Sequence, residues 1–139
     1  MLKSVNSRDF MTENPVTFPP DTNIFTVIHE LIVHKVSGAT VIDEENHLLG
    51  VISQGDCLKA ILDGTYHGYA NGTVEEVMTT KVDTIDPGLD LIDAARILLT
   101  TKRGRLPVVE DGKFIGQISI RSILRAVKEF DVPPDPTER

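Results

Sequence analysis

A single cysteine in 139 residues leaves no partner for an internal disulfide. No apolar run approaches the ~20 residues that a helix needs to cross a bilayer. The opening Met1-Leu2-Lys3-Ser4-Val5-Asn6 lacks the apolar stretch of a signal peptide. The expectation is a cytoplasmic protein that does not enter a membrane. Positive charge is scarce: 14 Lys and Arg face 21 Asp and Glu, for a net charge of −7 and a pI near 5.0. Duplex nucleic acid would have to bind against that field, so it is not an expected partner. The common catalytic constellations are missing as well. There is no Cys-x-x-Cys, no His-Glu-x-x-His, no glycine-rich loop ending in Lys-Ser/Thr and no Gly-x-Ser-x-Gly elbow. With no nucleophile, acid–base pair or metal set to name, the chain reads as a non-enzyme.

What the chain does contain, it contains twice. A shift of 67 residues lays Met11-Thr12 on Met78-Thr79, Pro20 on Pro87, Leu31 on Leu98, Lys35 on Lys102 and Val41 on Val108. One residue dropped from Asp43-Glu44-Glu45-Asn46 changes the shift to 66, and the match resumes. Gly50 then meets Gly116, Ser53 meets Ser119, Leu58 meets Leu124 and Ala60 meets Ala126. A repeat that survives a one-residue slip in a turn is a structural unit. The copies run over 8–62 and 74–129, joined by a glycine-bearing loop at 63–73 and followed by a proline-rich, extended or disordered tail at 130–139. Units of about 60 residues are marginal alone, so the copies are expected to pack together.

Each copy opens on a short strand, Val16-Thr17-Phe18 and Val82-Asp83-Thr84-Ile85. A turn and an amphipathic helix follow, with Ile24, Val27, Ile28, Leu31 and Ile32 in one copy and Leu91, Ala94, Ala95, Leu98 and Leu99 in the other. Asp21 or Thr22, and Asp86 or Asp90, are positioned to cap them. Both helices lose their apolar pattern near Lys35 and Lys102. Two strands come next, 39–42 with 48–52 and 106–109 with 114–118, and Asp111-Gly112 is a strong hairpin signal. Closing helices run from Asp56 to about Leu62 and from Ser122 to about Phe130. The fold class is α/β (α+β): two β-α-β-β-α repeats packed into one pseudo-twofold module.

The repeat also sorts the reactive residues. Cys57 stands opposite Ile123 and is expected to fill a core position. His29 and His34 are five apart, not the four that would let one helix face share a metal. A basic cluster, Lys102-Arg103-Gly104-Arg105 with Arg121, Arg125 and Lys128 further on, is either a solvated helix end or a seat for a small anion. At the last strand-to-helix junction the copies read Gly50-Val51-Ile52-Ser53-Gln54-Gly55-Asp56 and Gly116-Gln117-Ile118-Ser119-Ile120-Arg121-Ser122. Serine and acid at that spacing form a capping box without any ligand. The glycine three residues earlier asks for more, because it marks close approach by backbone or ligand.

The Met-Thr openings, the Leu106-Pro107-Val108-Val109 strand and the Gly-h-h-Ser/Thr-x-x-Asp ending resemble the cystathionine-β-synthase (CBS) domain, and the doubled unit is similar to a Bateman module. The resemblance implies a regulatory module that binds an adenosine-containing ligand between its repeats. AMP, ADP, ATP, S-adenosylmethionine and NAD belong to that class. By position, Ser53 would take the phosphate, Asp56 the ribose hydroxyls, and backbone at Val16, Thr17, Gly38 and Ala39 the adenine. Copy two departs, with Ser122 in place of the carboxylate. Ser119 and Ser122 would form a lesser site, and Arg121, with Arg103 or Arg105, would add charge. The resemblance further implies a homodimer and a regulated partner protein. A dimerisation scaffold that has lost its ligand is the alternative.

Overall fold

The computed structural model describes residues 5–13, 15–67 and 72–130, without the side chains of 65–67. In chain order the elements are α1 (Ser7–Phe10), β1 (Thr17–Phe18), α2 (Ile24–Val33), β2 (Gly38–Ile42), β3 (Leu48–Ser53), α3 (Gln54–His67), α4 (Val74–Val77), α5 (Leu91–Thr101), β4 (Arg105–Glu110), β5 (Lys113–Ser119) and α6 (Ile120–Phe130). Among the described residues no helix is long and apolar enough to cross a membrane.

The chain forms two compact units, and they cut across the sequence repeats. The N unit comprises the described parts of 14–82 together with 111–114. The C unit comprises 5–13, 83–110 and 115–130. The opening segment of each repeat therefore belongs to the unit built by the other repeat. In the C unit the arm 5–13 docks through Ser7 N–H to Leu89 O (2.9 Å), Arg8 N–H to Pro87 O (3.1 Å) and Leu91 N–H to Val5 O (3.0 Å). In the N unit the arm 72–79 repeats the pattern: Val74 N–H to Thr22 O (2.8 Å), Glu75 N–H to Pro20 O (3.1 Å) and Ile24 N–H to Gly72 O (3.0 Å).

The predicted helices form, as do the predicted strands other than 82–85, and most of the periodic apolar positions are buried. Phe18, Ile24, Val27, Leu31, Ala39, Val41, Ile52 and Cys57 pack with Val74 of the arm in the N unit. Ile85, Leu91, Ala94, Leu98, Leu106, Val108, Ile118, Ile123 and Ala126 pack with Val5 and Phe10 in the C unit. Lys35 (φ 56°) and Lys102 (φ 57°) end the first helix of each copy in the left-handed region. Val36 N–H then reaches back to Leu31 O, and Arg103 N–H to Leu98 O, which ties off the last turn. Asp90 caps α5 as expected, whereas α2 is capped by Asn23 rather than Asp21 or Thr22. The Thr22 hydroxyl instead donates to Pro19 O.

Three further expectations are corrected. In the N unit β1 pairs parallel with β2, and Thr40 N–H bonds Val16 O. The second copy keeps only one parallel bridge, Ile85 to Val108, where a strand at 82–85 was expected. Pro107 occupies the place of Thr40 and has no N–H to donate, so the ladder loses that rung. The second correction concerns α3, which continues to His67, five residues into the predicted loop. No proline intervenes, and an interior glycine such as Gly64 costs only about 1 kcal/mol. Third, Ile32 and Leu99 lie outside the buried stripes, 67% and 72% exposed. The rest of the linker, 68–71, and the tail 131–139 lie outside the described residues.

The glycines at Gly50 and Gly116 answer to backbone. Val51 exchanges hydrogen bonds with Thr79 (2.9 and 2.8 Å), and Gln117 with Thr12 (3.1 and 2.8 Å). A Cβ on Gly50 would stand 2.7 Å from Thr79 O, and one on Gly116 2.8 Å from Thr12 O. Gly50→Ala and Gly116→Ala should each destabilise the protein by about 1–3 kcal/mol in denaturant unfolding. Gly104→Ala, where nothing lies within 4 Å, should be near neutral. Cys57, 3% exposed, has its thiol pushed above its ordinary range by burial and then by the Asp56 charge. It should resist thiol reagents at mildly alkaline pH and react promptly once denaturant opens the N unit.

Candidate ligand-binding site

The N unit brings the copy-one residues together at one end of its sheet. Gly38 pairs with Ser53 and Ala39 with Ile52 across the β2–β3 ladder, while Thr17 lies beside Thr40. Val16, Thr17, Gly38, Ala39 and Ser53 are therefore neighbours by register, and Asp56 follows on the first turn of α3. The junction is pinned from outside: Gln54 N–H donates to Ser37 O (2.9 Å), and the Gln54 side-chain amide to Val36 O (3.2 Å). Gly38 and Ala39 are buried, Val16, Thr17 and Asp56 half-buried, and Ser53 exposed.

Ser53 and Asp56 form the capping box. Ser53 N–H donates to Asp56 Oδ2 (3.0 Å), and Asp56 N–H donates to Ser53 Oγ (3.0 Å). This pairing leaves functional groups over. A carboxylate offers about four lone-pair sites, of which the Ser53 amide uses one. The Ser53 hydroxyl accepts here and keeps its own proton to donate. The end of the N-unit sheet thus presents a donor and a multiple acceptor about one helical turn apart.

The same box in the C unit is closed on itself. Ser122 N–H donates to Ser119 Oγ (3.1 Å), Ser119 N–H donates to Ser122 Oγ (3.3 Å), and the two hydroxyls lie 3.0 Å apart. Ser122 is 4% exposed. A buried hydroxyl paired with its neighbour cannot do for two vicinal hydroxyls what a carboxylate does.

Beside this junction lies a cleft of about 470 Å³ lined by Thr12, Ser119, Arg121, Ser122, Leu124, Arg125 and Lys128. The basic cluster read from the sequence is thereby divided. Arg121 lines the cleft, while Arg103 and Arg105 do not. Arg103 is exposed after α5, and Arg105 is half-buried at the start of β4, where desolvation pulls its pKa below the ordinary value. Arg125 and Lys128 belonged to the basic cluster but were not assigned to the adenosine site, and Thr12 and Leu124 were not candidate site residues. Arg121, Arg125 and Lys128 are spaced four and three apart, which places them on one helix face.

A family model for the CBS domain matches residues 7–63 and 74–129. The structure is similar to that of CBSX2 from Arabidopsis thaliana solved in complex with AMP. The two are 33% identical, with a TM-score of 0.82 over 93% of this chain and 100% of that one. An uncharacterised protein of Methanocaldococcus jannaschii is 30% identical over 89% of this chain and 44% of its own length. Inosine-5'-monophosphate dehydrogenase of Aquifex aeolicus is 34% identical over 91% of this chain and 25% of its own. The chain thus spans less than half of either relative. With both copies matched and the repeat architecture in place, the chain belongs to the CBS domain family, as a tandem pair.

Proposed function

We propose that this CBS pair is a non-enzymatic regulatory module that binds an adenosine-containing ligand at the N unit and signals to a partner protein. The convergence of Val16, Thr17, Gly38, Ala39, Ser53 and Asp56 at one end of a single sheet carries this reading. In this reading backbone groups at the sheet end take the base, Asp56 the ribose hydroxyls, and the Ser53 hydroxyl a phosphate. The AMP held by the similar CBSX2 supports the ligand class. ADP, ATP, S-adenosylmethionine and NAD share the adenosine that these groups would read. Binding regulates only if the ligand prefers one arrangement of the module, so the output depends on differential affinity. A cytoplasmic setting goes with this reading, although two relatives are named as chloroplastic.

The same reading includes a homodimer. Exposed apolar residues recur at equivalent places in the two repeats: Ile32 (67%) and Leu99 (72%), Leu58 (62%) and Leu124 (62%). Single exposed leucines are ordinary, but a recurring pair on each unit is a candidate interface. Leu58→Glu with Leu124→Glu should lower the sedimentation mass from dimer to monomer. An unchanged mass would remove these faces from the interface.

A dimerisation scaffold without a ligand is the second reading, favoured by the capping box, which gives Ser53 and Asp56 a structural role. Calorimetric titration with AMP, ATP and S-adenosylmethionine separates the two, on protein shown by mass spectrometry to be nucleotide-free. A sensor binds at least one of them, and Asp56→Ala abolishes that binding while the fold survives. A scaffold binds none, and Asp56→Ala costs only the cap, about 1 kcal/mol.

A further inference from the structure

We infer that the homodimer pairs unlike units: the α2–α3 face of one chain's N unit takes the α5–α6 face of the C unit of a second copy. The inference rests on the homodimer reading above and adds which faces meet. In each unit the two helices pack side by side, and both pairs keep an exposed apolar centre. Ile32 and Leu58 supply it in the N unit, Leu99 and Leu124 at the equivalent places in the C unit. Around that centre the repeats diverge. Phe25, Val33 and Leu62 are exposed apolar residues of the N unit. Their counterparts are Ile92, which is half-buried, Thr100 and Lys128.

Charge diverges as well. α2 and α3 carry Lys59 against Glu30, Asp56 and Asp63, a net −2. α5 and α6 carry Arg96, Arg121, Arg125 and Lys128 against Asp93 and Glu129, a net +2. Exposed side chains alone keep the contrast, Lys59 with Asp63 on one face and all four cations with Glu129 on the other. These differences select the pairing. Two C-unit faces brought together would set four exposed cations against four, and like charges at close range work against an interface. Two N-unit faces would meet without that repulsion but leave Leu99 and Leu124 uncovered. An unlike pair covers both centres, and a twofold dimer makes the contact twice. The faces are versions of one fold, so leucine still meets leucine and only the rim changes. Lys128 stands where the N unit has Leu62, and Asp63 follows Leu62 in sequence. A lysine stem laid on the partner's apolar face can carry its ammonium to an acid beside it.

Leu58→Cys and Leu124→Cys, both at exposed positions, test the inference as separate full-length chains without ligand. They are mixed to exchange subunits and treated with a bismaleimide whose arm spans the roughly 8–10 Å between packed helices. The native Cys57 is buried and should not compete. The expected result is a cross-linked dimer in the mixture and none with either variant alone. Self-cross-linking of either variant, with a dimeric sedimentation mass, overturns this inference and spares the homodimer. So does a dimer that cross-links in no combination. A monomeric mass removes the homodimer and this inference together, and leaves the faces to another partner. Arg121→Gln with Lys128→Gln should weaken the dimer about tenfold, since each of its two contacts loses two rim charges. Tightening would mark C units paired like with like and overturn the inference.

Discussion

Both units depend on a place where a side chain is forbidden. At Gly50 and Gly116 the carbonyl of an incoming Met-Thr arm lies where a Cβ would stand. The reciprocal hydrogen bonds of Val51 with Thr79 and of Gln117 with Thr12 hold the arm there. Each arm then delivers apolar cover, Val74 to one core and Val5 with Phe10 to the other. Units this small bury too little surface to spare any, so the arm is part of the core rather than an ornament on it. A glycine in mid-strand weakens the strand locally. Here the loss is offset by the extra rung that the arm contributes.

The strand-to-helix junction shows one backbone device with two chemical outcomes. Serine and a polar partner three residues on satisfy the first free amides of the closing helix in both units. With aspartate as partner, the box keeps unused acceptors at its surface. With serine, the two hydroxyls bond one another and Ser122 is buried. The cap fixes the direction of these side chains in both units.

Much of this was legible because the repeat aligned apolar positions whose burial is a matter of period. Leu31 with Leu98, Val41 with Val108, and Cys57 with Ile123 are core pairs in the structure as in the alignment. The helix ends at Lys35 and Lys102 were marked by the loss of that period. The exchange of arms was not legible, because an alignment matches segments without saying which copy receives them. One-turn helices such as α1 and α4 fall below the length at which a period exists. The missing rung at Pro107 was written in the sequence, yet strand propensity hid it. At the site, copy-one residues converged because register follows from hydrophobic alternation. The cleft needed the helix face that gathers Arg121, Arg125 and Lys128 and leaves Arg103 and Arg105 elsewhere.

The traded arms bear on how such a chain arises and on how it can be divided. A gene fragment encoding 5–62 alone would specify an N-unit body without its 72–79 arm, together with an arm that has nowhere in its own body to dock. Two copies of that fragment hold every part needed to complete each other. Duplication and fusion would then turn an exchange between molecules into one within a single polypeptide, with no new contact to invent. Once fused, the halves become obligate lenders, and selection on either body also acts on the nine or so residues it has given away.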